Sequence, residues 1–435
     1  MSEYLQSIIK ENKSGNSVGV TSICSANSYV IEASILNAKK NNRNILIEST
    51  SNQVNQFGGY TGMKPEEFKN YVFKTAEDLK FPKEKIILGG DHLGPNAWKN
   101  EASSEAMGKA KVQVEEYVKA GYSKIHLDAS MKLADDENKN LQLDTEIVAE
   151  RAAQLCRAAE YAFKNMKMKN HKPFYIIGSD VPPPGGGTEH QEIRITSPDE
   201  VEATIEITKK AFCKYGLEHA WNRVIAVVVQ PGVEFDNYEV YDFCAEKAKG
   251  LTQKIQEKKN LSYEAHSTDF QKKDSLKEMV KNNFAILKVG PWLTFSFREA
   301  VFALASIEEE LSLKIKSMQP SNIIELIDKQ MKLDPEYWEK YYKGNEDENS
   351  FDRKFSLSDR IRYYWNNKKV NGSLNQLINN LSGIKIPLTL ISQYLPDQFK
   401  AVRENEIENN PKEIIYHKIN EVLEIYNYAT SGGNL

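Results

Sequence analysis

Cysteine is scarce in this 435-residue sequence, and its four cysteines lie far apart without a C-x-x-C pair. That spacing argues against a zinc knuckle and favours a reducing compartment. The sequence also lacks an apolar run long enough to cross a bilayer. Its first 15 residues read as an amphipathic helix rather than a secretory signal. We therefore expect a cytoplasmic protein that has no membrane partner.

The sequence has no excess of positive charge and no glycine-rich phosphate turn. Its net charge is -4, so nothing indicates a nucleic-acid partner. The stretch "SICSANSY" after the first β-like run contains no G-x-G-x-x-G, which argues against a doubly wound nucleotide-binding sheet. The length allows a large core and more than one domain.

Eight β-branched apolar runs alternate with segments of helical spacing over the first 300 residues. This repeated strand–helix pattern predicts a (β/α)8 TIM barrel over residues 1–305. After about residue 305 the strand pattern stops and helical segments follow, so we expect residues 306–435 to form a helical extension packed on the barrel or on a partner. The predicted strands are residues 17–24, 44–49, 85–91, 124–130, 174–180, 224–230, 261–267 and 284–290.

Polar residues end nearly every predicted strand. In this barrel fold the catalytic groups lie at the carboxyl ends of the strands, so these side chains should meet at one mouth. The polar strand ends include Glu48, Asp91, His92, Asp128, Asp180, Gln230, Glu264, His266 and Lys288.

Two acid–histidine pairs predict a metal site. Asp91 and His92 follow one strand, so Asp91 could take a proton while His92 binds a divalent cation. His266 follows another strand, with Glu264 two residues earlier on the same face. Two histidines, a carboxylate from Asp180 or Glu264 and an open position suit catalytic zinc or manganese. The alternatives are a polar turn with a satisfied histidine and, for Asp180, a loop cap.

Other strand-end residues have weaker interpretations. Glu48 and Asp128 could orient the ligands or bind sugar hydroxyls, and His126 could be a core histidine. Lys288 stands where a Schiff-base lysine could lie, but the acid–histidine pairs favour metal chemistry, so we interpret it as a polar wall residue.

A loop rich in amides and glycines, "SNQVNQFGGYTG" (51–62), follows the second strand. If this loop closes over a polyol, Asn52 and Gln53 could bind its hydroxyl groups. A plain surface loop explains the composition equally well.

Several longer motifs carry a family resemblance, among them "LIESTSNQVNQFGGYTGM", "ILGGDHLGPN", "YEAHSTDFQ" and "FSLSDRIRYYW". Together they resemble the Z-type subunit family of class II tagatose-bisphosphate aldolase, nearly end to end and including the helical tail. The resemblance implies a non-catalytic partner of a Y-type catalytic subunit, or, as in some relatives, a metal-dependent tagatose/fructose 4-epimerase. The chain is more distantly similar to class II aldolases. That likeness assigns the base to Asp91, zinc binding to His92 and His266, and a nearby carboxylate to Asp180.

The chain departs from the class II aldolase pattern at two places. Gln230 stands where those enzymes have a further metal histidine, so a carboxylate or Gln230 itself would have to substitute. Residues 267–270, "STDF", replace a glycine-rich phosphate cradle, and Asp269 there would repel a phosphate.

From these observations we predict a divalent-metal site, with zinc or manganese, nickel or cobalt, for C3–C4 retro-aldol and aldol chemistry on a ketohexose or its phosphate. The alternatives are a stand-alone 4-epimerase of unphosphorylated sugar and a non-catalytic subunit that stabilises a Y-type partner; a homo-oligomer also remains open. We assign catalysis to Asp91 and Asp180, metal binding to His92, His266, Asp180 and Glu264, and substrate binding to Glu48, Asn52, Gln53, Asp128, Gln230 and Lys288.

Overall fold

Eight parallel strands form a closed barrel in this computed structural model, which describes residues 2–137, 143–167, 172–178 and 193–432. Each of the eight predicted β-runs supplies one barrel strand, so the fold prediction is confirmed. The strands are β1 Val20–Cys24, β2 Ile45–Thr50, β3 Ile86–Leu93, β4 Lys124–Leu127, β5 Phe174–Ile177, β6 Val224–Val228, β9 Ser262–Ala265 and β10 Phe284–Val289; β7 Glu234–Phe235 and β8 Val240–Tyr241 form a small antiparallel ribbon. The barrel order is β1-β10-β9-β6-β5-β4-β3-β2.

Helices surround the barrel and form the carboxyl-terminal region. None of those in the described ranges is both long enough and apolar enough to cross a membrane. They are α1 Ser2–Lys13, α2 Ser28–Lys40, α3 Pro65–Asp78, α4 Ser103–Ala120, α5 Thr145–Lys164, α6 Pro198–Lys214, α7 Glu218–Trp221, α8 Lys249–Gln256, α9 Lys273–Lys281, α10 Pro291–Lys314, α11 Ile323–Leu333, α12 Glu346–Phe355, α13 Lys368–Ser382, α14 Leu388–Tyr394, α15 Pro396–Arg403 and α16 Pro411–Thr430.

The amino-terminal end of the barrel is apolar, and its carboxyl-terminal end is polar. Side chains such as Leu46, Ile225 and Ile286 form an inner apolar layer together with Leu5 and Ile9 of α1. Strands buried on both faces explain why the β-runs read as nearly continuous apolar segments rather than alternating ones. Apolar side chains close the amino end of the barrel, so a polar site can form at the carboxyl end.

The last helix, α16, packs against α2 and α9, on either side of the β10–β1 seam, and against α10. Buried Tyr426 donates its hydroxyl to the Thr268 carbonyl at 2.8 Å. Asn37 of α2 donates to Asn420 at 2.6 Å and to Glu424 at 2.8 Å. These contacts put the end of the chain in the outer ring of the barrel. Helix α10 runs without interruption through residue 305, the proposed boundary between barrel and extension.

A short stretch of the carboxyl-terminal region, residues 359–366, reaches the carboxyl end of the barrel; we call it the rim segment. Thr294 of α10 donates to Asp359 at 2.6 Å, and the Phe297 and Trp365 rings lie 4.8 Å apart. The Tyr363 ring also lies 4.8 Å from Tyr60, which belongs to the loop after β2. The rim segment is therefore held between α10 and that loop.

Candidate active site

The glycines around Asp91 and His92 are explained by close packing at the end of β3. A Cβ on Gly89 would lie 2.4 Å from the Glu48 carboxylate, and one on Gly94 only 1.7 Å from the Asp128 carbonyl oxygen. His92 itself adopts a left-handed backbone with φ 48°. Strained backbone of this kind costs about 1–3 kcal/mol and persists chiefly at functional sites. The local sequence thus bends the strand end so that both side chains enter the barrel mouth.

Three histidine rings meet at this mouth, and we call them the imidazole cluster: His92, His126 and His266. Their ring centroids are 4.8 to 5.1 Å apart. One ligand atom from each ring and one from Asp91 all lie within 4.8 Å of one another, and all four residues are buried. The Nε2 atom of His126 is buried and has no hydrogen-bond partner among the described residues. A buried, unpaired imidazole nitrogen beside two other rings fits a metal ion.

Each ring of the imidazole cluster is held by a carboxylate through one of its nitrogens. His92 Nδ1 donates to Asp128 at 2.7 Å. His126 Nδ1 lies 3.0 Å from Asp91, and His266 Nε2 lies 3.0 Å from Glu264. Carboxylates that hold one imidazole nitrogen fix the ring orientation and raise its basicity as a ligand. The other nitrogen of each ring is the one that can bind a cation.

Neighbouring charges set the protonation of the site. Burial alone would raise the pKa of Asp91, but the charges of His92 and Lys288 outweigh it and hold that pKa well below its usual range. Burial lowers the pKa of His266 to about 3, which keeps this ring neutral. Burial would also lower the pKa of His92, but the charges of Asp91 and Asp128 raise it above its usual value.

Two buried lysines join the carboxylates below the imidazole cluster. Lys124 Nζ lies 2.6 Å from Glu48 and 2.7 Å from Glu264. Lys288 Nζ lies 2.5 Å from Glu48 and 2.7 Å from Asp91. Burial would lower the pKa of Lys288, but the charge of Asp91 and its neighbours raises it well above its usual value. A lysine held as an ammonium ion cannot act as a Schiff-base nucleophile, which supports the interpretation of Lys288 as a polar wall residue.

A cavity opens above these groups, and both the barrel and the rim segment line it. Its polar lining from the barrel includes Asn27, Asn52, Gln53, Asp91, His92, His266, Ser267, Asp269 and Lys288, and the rim segment adds Arg362, Tyr363, Trp365 and Asn366. The site is therefore composite, since residues separated by over 300 positions share one wall.

The structure places the predicted site residues in three groups. Asn52, Gln53, Asp91, His92, His266 and Lys288 line the cavity. Among the described residues, Glu48, Asp128, Glu264 and Gln230 are not part of that lining. Asp180 lies outside the described residues, so both of its predicted roles stay predictions.

The four residues outside the lining have other contacts. Glu48 forms ion pairs with Lys124 and Lys288. Asp128 and Glu264 form hydrogen bonds to the rings of the imidazole cluster. The side-chain oxygen of Gln230 instead accepts the backbone N–H groups of Gly232 at 2.8 Å and Val233 at 3.1 Å. His126 supplies a third imidazole beside those of His92 and His266.

Sequence reasoning missed His126, Arg362 and Tyr363. The sequence allows His126 to be a core histidine, although its spacing of two from Asp128 puts both side chains on the same strand face. Arg362 and Tyr363 stand in a segment of helical composition, and no local pattern indicates that it reaches a barrel mouth. Arg362 and Tyr363 belong to the motif "FSLSDRIRYYW", which carries the family resemblance but does not indicate where the segment lies in the fold.

Comparison with known proteins gives matches that run nearly end to end. A family described as "D-tagatose-1,6-bisphosphate aldolase subunit GatZ/KbaZ-like" matches residues 5–431. D-tagatose-1,6-bisphosphate aldolase subunit GatZ of Klebsiella pneumoniae is 47% identical over 428 residues, covering 98% of this chain and 99% of that protein. The subunit of the same name from an Escherichia coli strain is 47% identical over 426 residues, with 98% and 99% coverage. A solved structure described as a probable tagatose 6 phosphate kinase from Sinorhizobium meliloti is 40% identical, with a TM-score of 0.85 over 94% of this chain and 100% of that one.

Proposed function

The chain belongs to the GatZ/KbaZ-like family of D-tagatose-1,6-bisphosphate aldolase subunits, and from this premise we propose that its site cleaves and re-forms the C3–C4 bond of a ketohexose. The observation that carries the proposal is the buried group of Asp91 and the imidazole cluster, with ligand atoms within 4.8 Å of one another. A subunit without chemistry of its own has little physical reason to keep three imidazoles, each held by a carboxylate, at one barrel mouth.

The donor set fits a divalent cation such as zinc or manganese. His92, His126 and His266 would hold it, because imidazole nitrogens are ligands that such cations accept, and the proton on His92 would leave as the cation binds. Asp91 lies beside them and stays available to take a proton. A bound cation would polarise the ketose carbonyl and stabilise the negative charge that develops as the C3–C4 bond breaks. Asp128 and Glu264 would keep the rings of His92 and His266 in position for it.

Proton transfer is assigned to Asp91, which lines the cavity as a carboxylate. It would accept the proton of the C4 hydroxyl as that oxygen becomes an aldehyde oxygen and the C3–C4 electron pair moves to C3. The Lys288 ammonium, 2.7 Å away, would keep the side chain in place. Asn52 and Gln53 would bind hydroxyl groups of the sugar from the loop after β2.

A stand-alone 4-epimerase is the second candidate function. If the bond closes again on the opposite face of the aldehyde, C4 is inverted without release of a product. Cleavage and epimerisation therefore use the same residues and differ in whether the aldehyde leaves. Asp269 supports the epimerase on unphosphorylated sugar. Its carboxylate accepts the hydrogen bonds of the backbone amides at the start of α10, so these amides are not free to bind a phosphate.

A third candidate is a subunit that stabilises a Y-type aldolase and turns over no sugar alone. The names of the relatives support it, since they describe an aldolase subunit. We expect such a complex to leave the imidazole cluster able to bind metal, because the cluster lies inside the barrel and not on an outer face.

Metal analysis followed by NMR tests the proposal. We expect the purified protein to contain a divalent metal, and to convert fructose into tagatose or into three-carbon products, with both metal and conversion lost after EDTA treatment. His266→Ala should lose both. His219→Ala is the matched control, because His219 is an exposed ring paired with Glu160, and it should change neither.

The outcomes separate the candidates. Metal with conversion of fructose to tagatose supports the epimerase, and metal with three-carbon products supports the aldolase. Turnover only after addition of a Y-type subunit, unaffected by His266→Ala, would support the stabilising role and contradict the proposed site. A metal-free protein that converts no ketose would exclude both enzymes.

A further inference from the structure

Asp269 is a buried carboxylate in the wall of the same cavity, three residues after His266. Its Oδ1 accepts the backbone N–H of Gly290 at 3.0 Å and that of Trp292 at 2.8 Å. Gly290 is the residue that precedes α10, so these N–H groups belong to the start of that helix. The side chain therefore places a negative charge where the cavity meets the first turn of α10.

The start of a long helix attracts anions because its first N–H groups lack partners within the helix and carry partial positive charge. A phosphate group of a sugar would bind to such amides if they were open to the cavity. Here the amides of Gly290 and Trp292 are already satisfied by Asp269. A phosphoryl group entering this end would meet a carboxylate rather than free donors.

Arg362, a cation of the cavity wall whose charge acts on Asp269, makes several hydrogen bonds within the carboxyl-terminal region. Its Nη1 donates to the Ser358 carbonyl and, at 3.0 Å, to that of Asp359. Its Nη2 donates to the Tyr363 hydroxyl at 3.1 Å. These contacts orient the Arg362 guanidinium toward its own segment, although its charge still acts on Asp269.

We infer that Asp269 determines the substrate specificity of the site by reserving the α10 end of the cavity for a neutral hydroxyl of an unphosphorylated ketose. The inference rests on the proposed function and deepens it. A carboxylate accepts a hydrogen bond from a sugar hydroxyl, whereas placing it beside a phosphoryl group opposes two like charges in a poorly solvated space. A bisphosphate carries charge at both ends of the sugar, so any binding mode that puts an end of the sugar against Asp269 opposes two like charges.

Calorimetry with metal-loaded protein and no free metal tests this, using D-tagatose and D-tagatose 1,6-bisphosphate as the matched pair. We expect the wild-type protein to bind the free sugar at least about tenfold more tightly than the bisphosphate, and inorganic phosphate not to compete. Asp269→Ser, which removes the charge and shortens the side chain, should weaken binding of the free sugar and allow inorganic phosphate to compete. Asp269→Asn, which keeps an acceptor for the two amides, should show a smaller change of the same kind.

Wild-type protein that binds the bisphosphate as tightly as the free sugar, or binds neither, would overturn the inference, as would an unchanged preference in well-folded Asp269→Ser. Should that variant not fold, the wild-type ratio and the phosphate competition still decide. Binding is measured apart from turnover. A protein that discriminates between the two sugars but converts neither therefore refutes the proposed reaction and leaves the role of Asp269 intact.

Discussion

At the scale of single residues, the site is organised by carboxylates that hold imidazoles. Asp128 holds His92, Glu264 holds His266, and Asp91 lies beside His126. Each carboxylate contacts one nitrogen of its ring, and the other ring nitrogen is not engaged by that carboxylate. Asp128 and Glu264 therefore lie one layer below the cavity lining, each against the ring of a histidine.

The unpaired Nε2 of His126 leads to a prediction about metal affinity. We expect His126→Ala to weaken zinc binding by at least about 100-fold, because even residues that only orient a ligand cost about 10- to 100-fold when removed. Competition with a chelator measures this, and circular dichroism checks the fold. His219→Ala is again the control. Full zinc affinity in a folded His126→Ala protein would show that this ring is a core histidine after all.

The pKa of Asp269 predicts how stability depends on pH. Burial raises that pKa to about 6, against the hydrogen bonds from Trp292 and Gly290 and the charge of Arg362. Because the folded pKa exceeds the unfolded value, the stabilisation is complete below about pH 4 and is lost as the pH rises through about 6. Asn does not titrate, so the free energy of unfolding of the wild type should fall relative to Asp269→Asn by up to about 3 kcal/mol between about pH 4 and 7.

Urea unfolding of both proteins across this pH range measures the difference. Glu234, whose pKa burial raises to about 7 with a smaller rise from the charge of Asp269, titrates in both proteins, so the part of its contribution that comes from burial cancels. A difference that stays constant with pH would mean that the pKa of Asp269 is not raised.

At the scale of elements, the rim segment depends on its contacts with α10 and with the loop after β2. Its Tyr363 stacks on Tyr337 with centroids 4.7 Å apart, and Tyr60 packs against both rings. The segment has little regular structure of its own, a short 3-10 helix at Arg360–Tyr363. Its position therefore depends on these contacts with residues distant in sequence. A segment of this kind should respond strongly to the loss of one buried partner.

Thr294→Val tests this dependence, because it removes the hydroxyl that donates to Asp359 at 2.6 Å. We expect a loss of about 1–3 kcal/mol in the free energy of unfolding, since Asp359 loses a buried donor. Hydrogen exchange of the amides in residues 360–366 should accelerate. Ser306→Ala on the same helix is the control, because among the described residues that hydroxyl bonds its own helix, at Phe302. Unchanged exchange in Thr294→Val would mean that the aromatic contacts alone hold the segment.

At the scale of the whole molecule, α16 joins the end of the chain to the beginning of the barrel. Beyond its packing on α2 and α9, Val18 just before β1 pairs with Ser431 just after α16. The barrel and the carboxyl-terminal region therefore share one continuous core, which contains residues from α2, α9, α10 and α16 alike. We expect them to unfold together.

Two tyrosines of α16 provide a matched test of this cooperativity. Tyr426 is fully buried and bonded to Thr268, so Tyr426→Ala should cost about 3–5 kcal/mol, as for other large buried side chains. Tyr428 is partly exposed and its hydroxyl bonds Asp274 at 3.1 Å, so Tyr428→Ala should cost less than about 1 kcal/mol. A single urea transition that shifts only in Tyr426→Ala is expected. Two separate transitions would show that the carboxyl-terminal region unfolds independently of the barrel.

The sequence by itself determined the eight strands, because β-branched apolar runs separated by helical spacing have few folds open to them. It also placed Asp91, His92, His266 and Lys288 at one cavity, since parallel strands in a closed barrel end at the same rim. Both inferences need only local periodicity and strand direction.

The tertiary structure alone decided which of these polar groups meet and what covers them. Whether His126 points to the cavity, whether Glu264 faces a ring or the open space, and whether Asp269 reaches the amides of α10 all depend on side-chain direction and on neighbours distant in sequence. The same holds for the rim segment and α16, whose positions follow from packing against elements over 60 and over 100 residues away. Such contacts are set by the complementarity of packed surfaces, which the local spacing of residues does not encode.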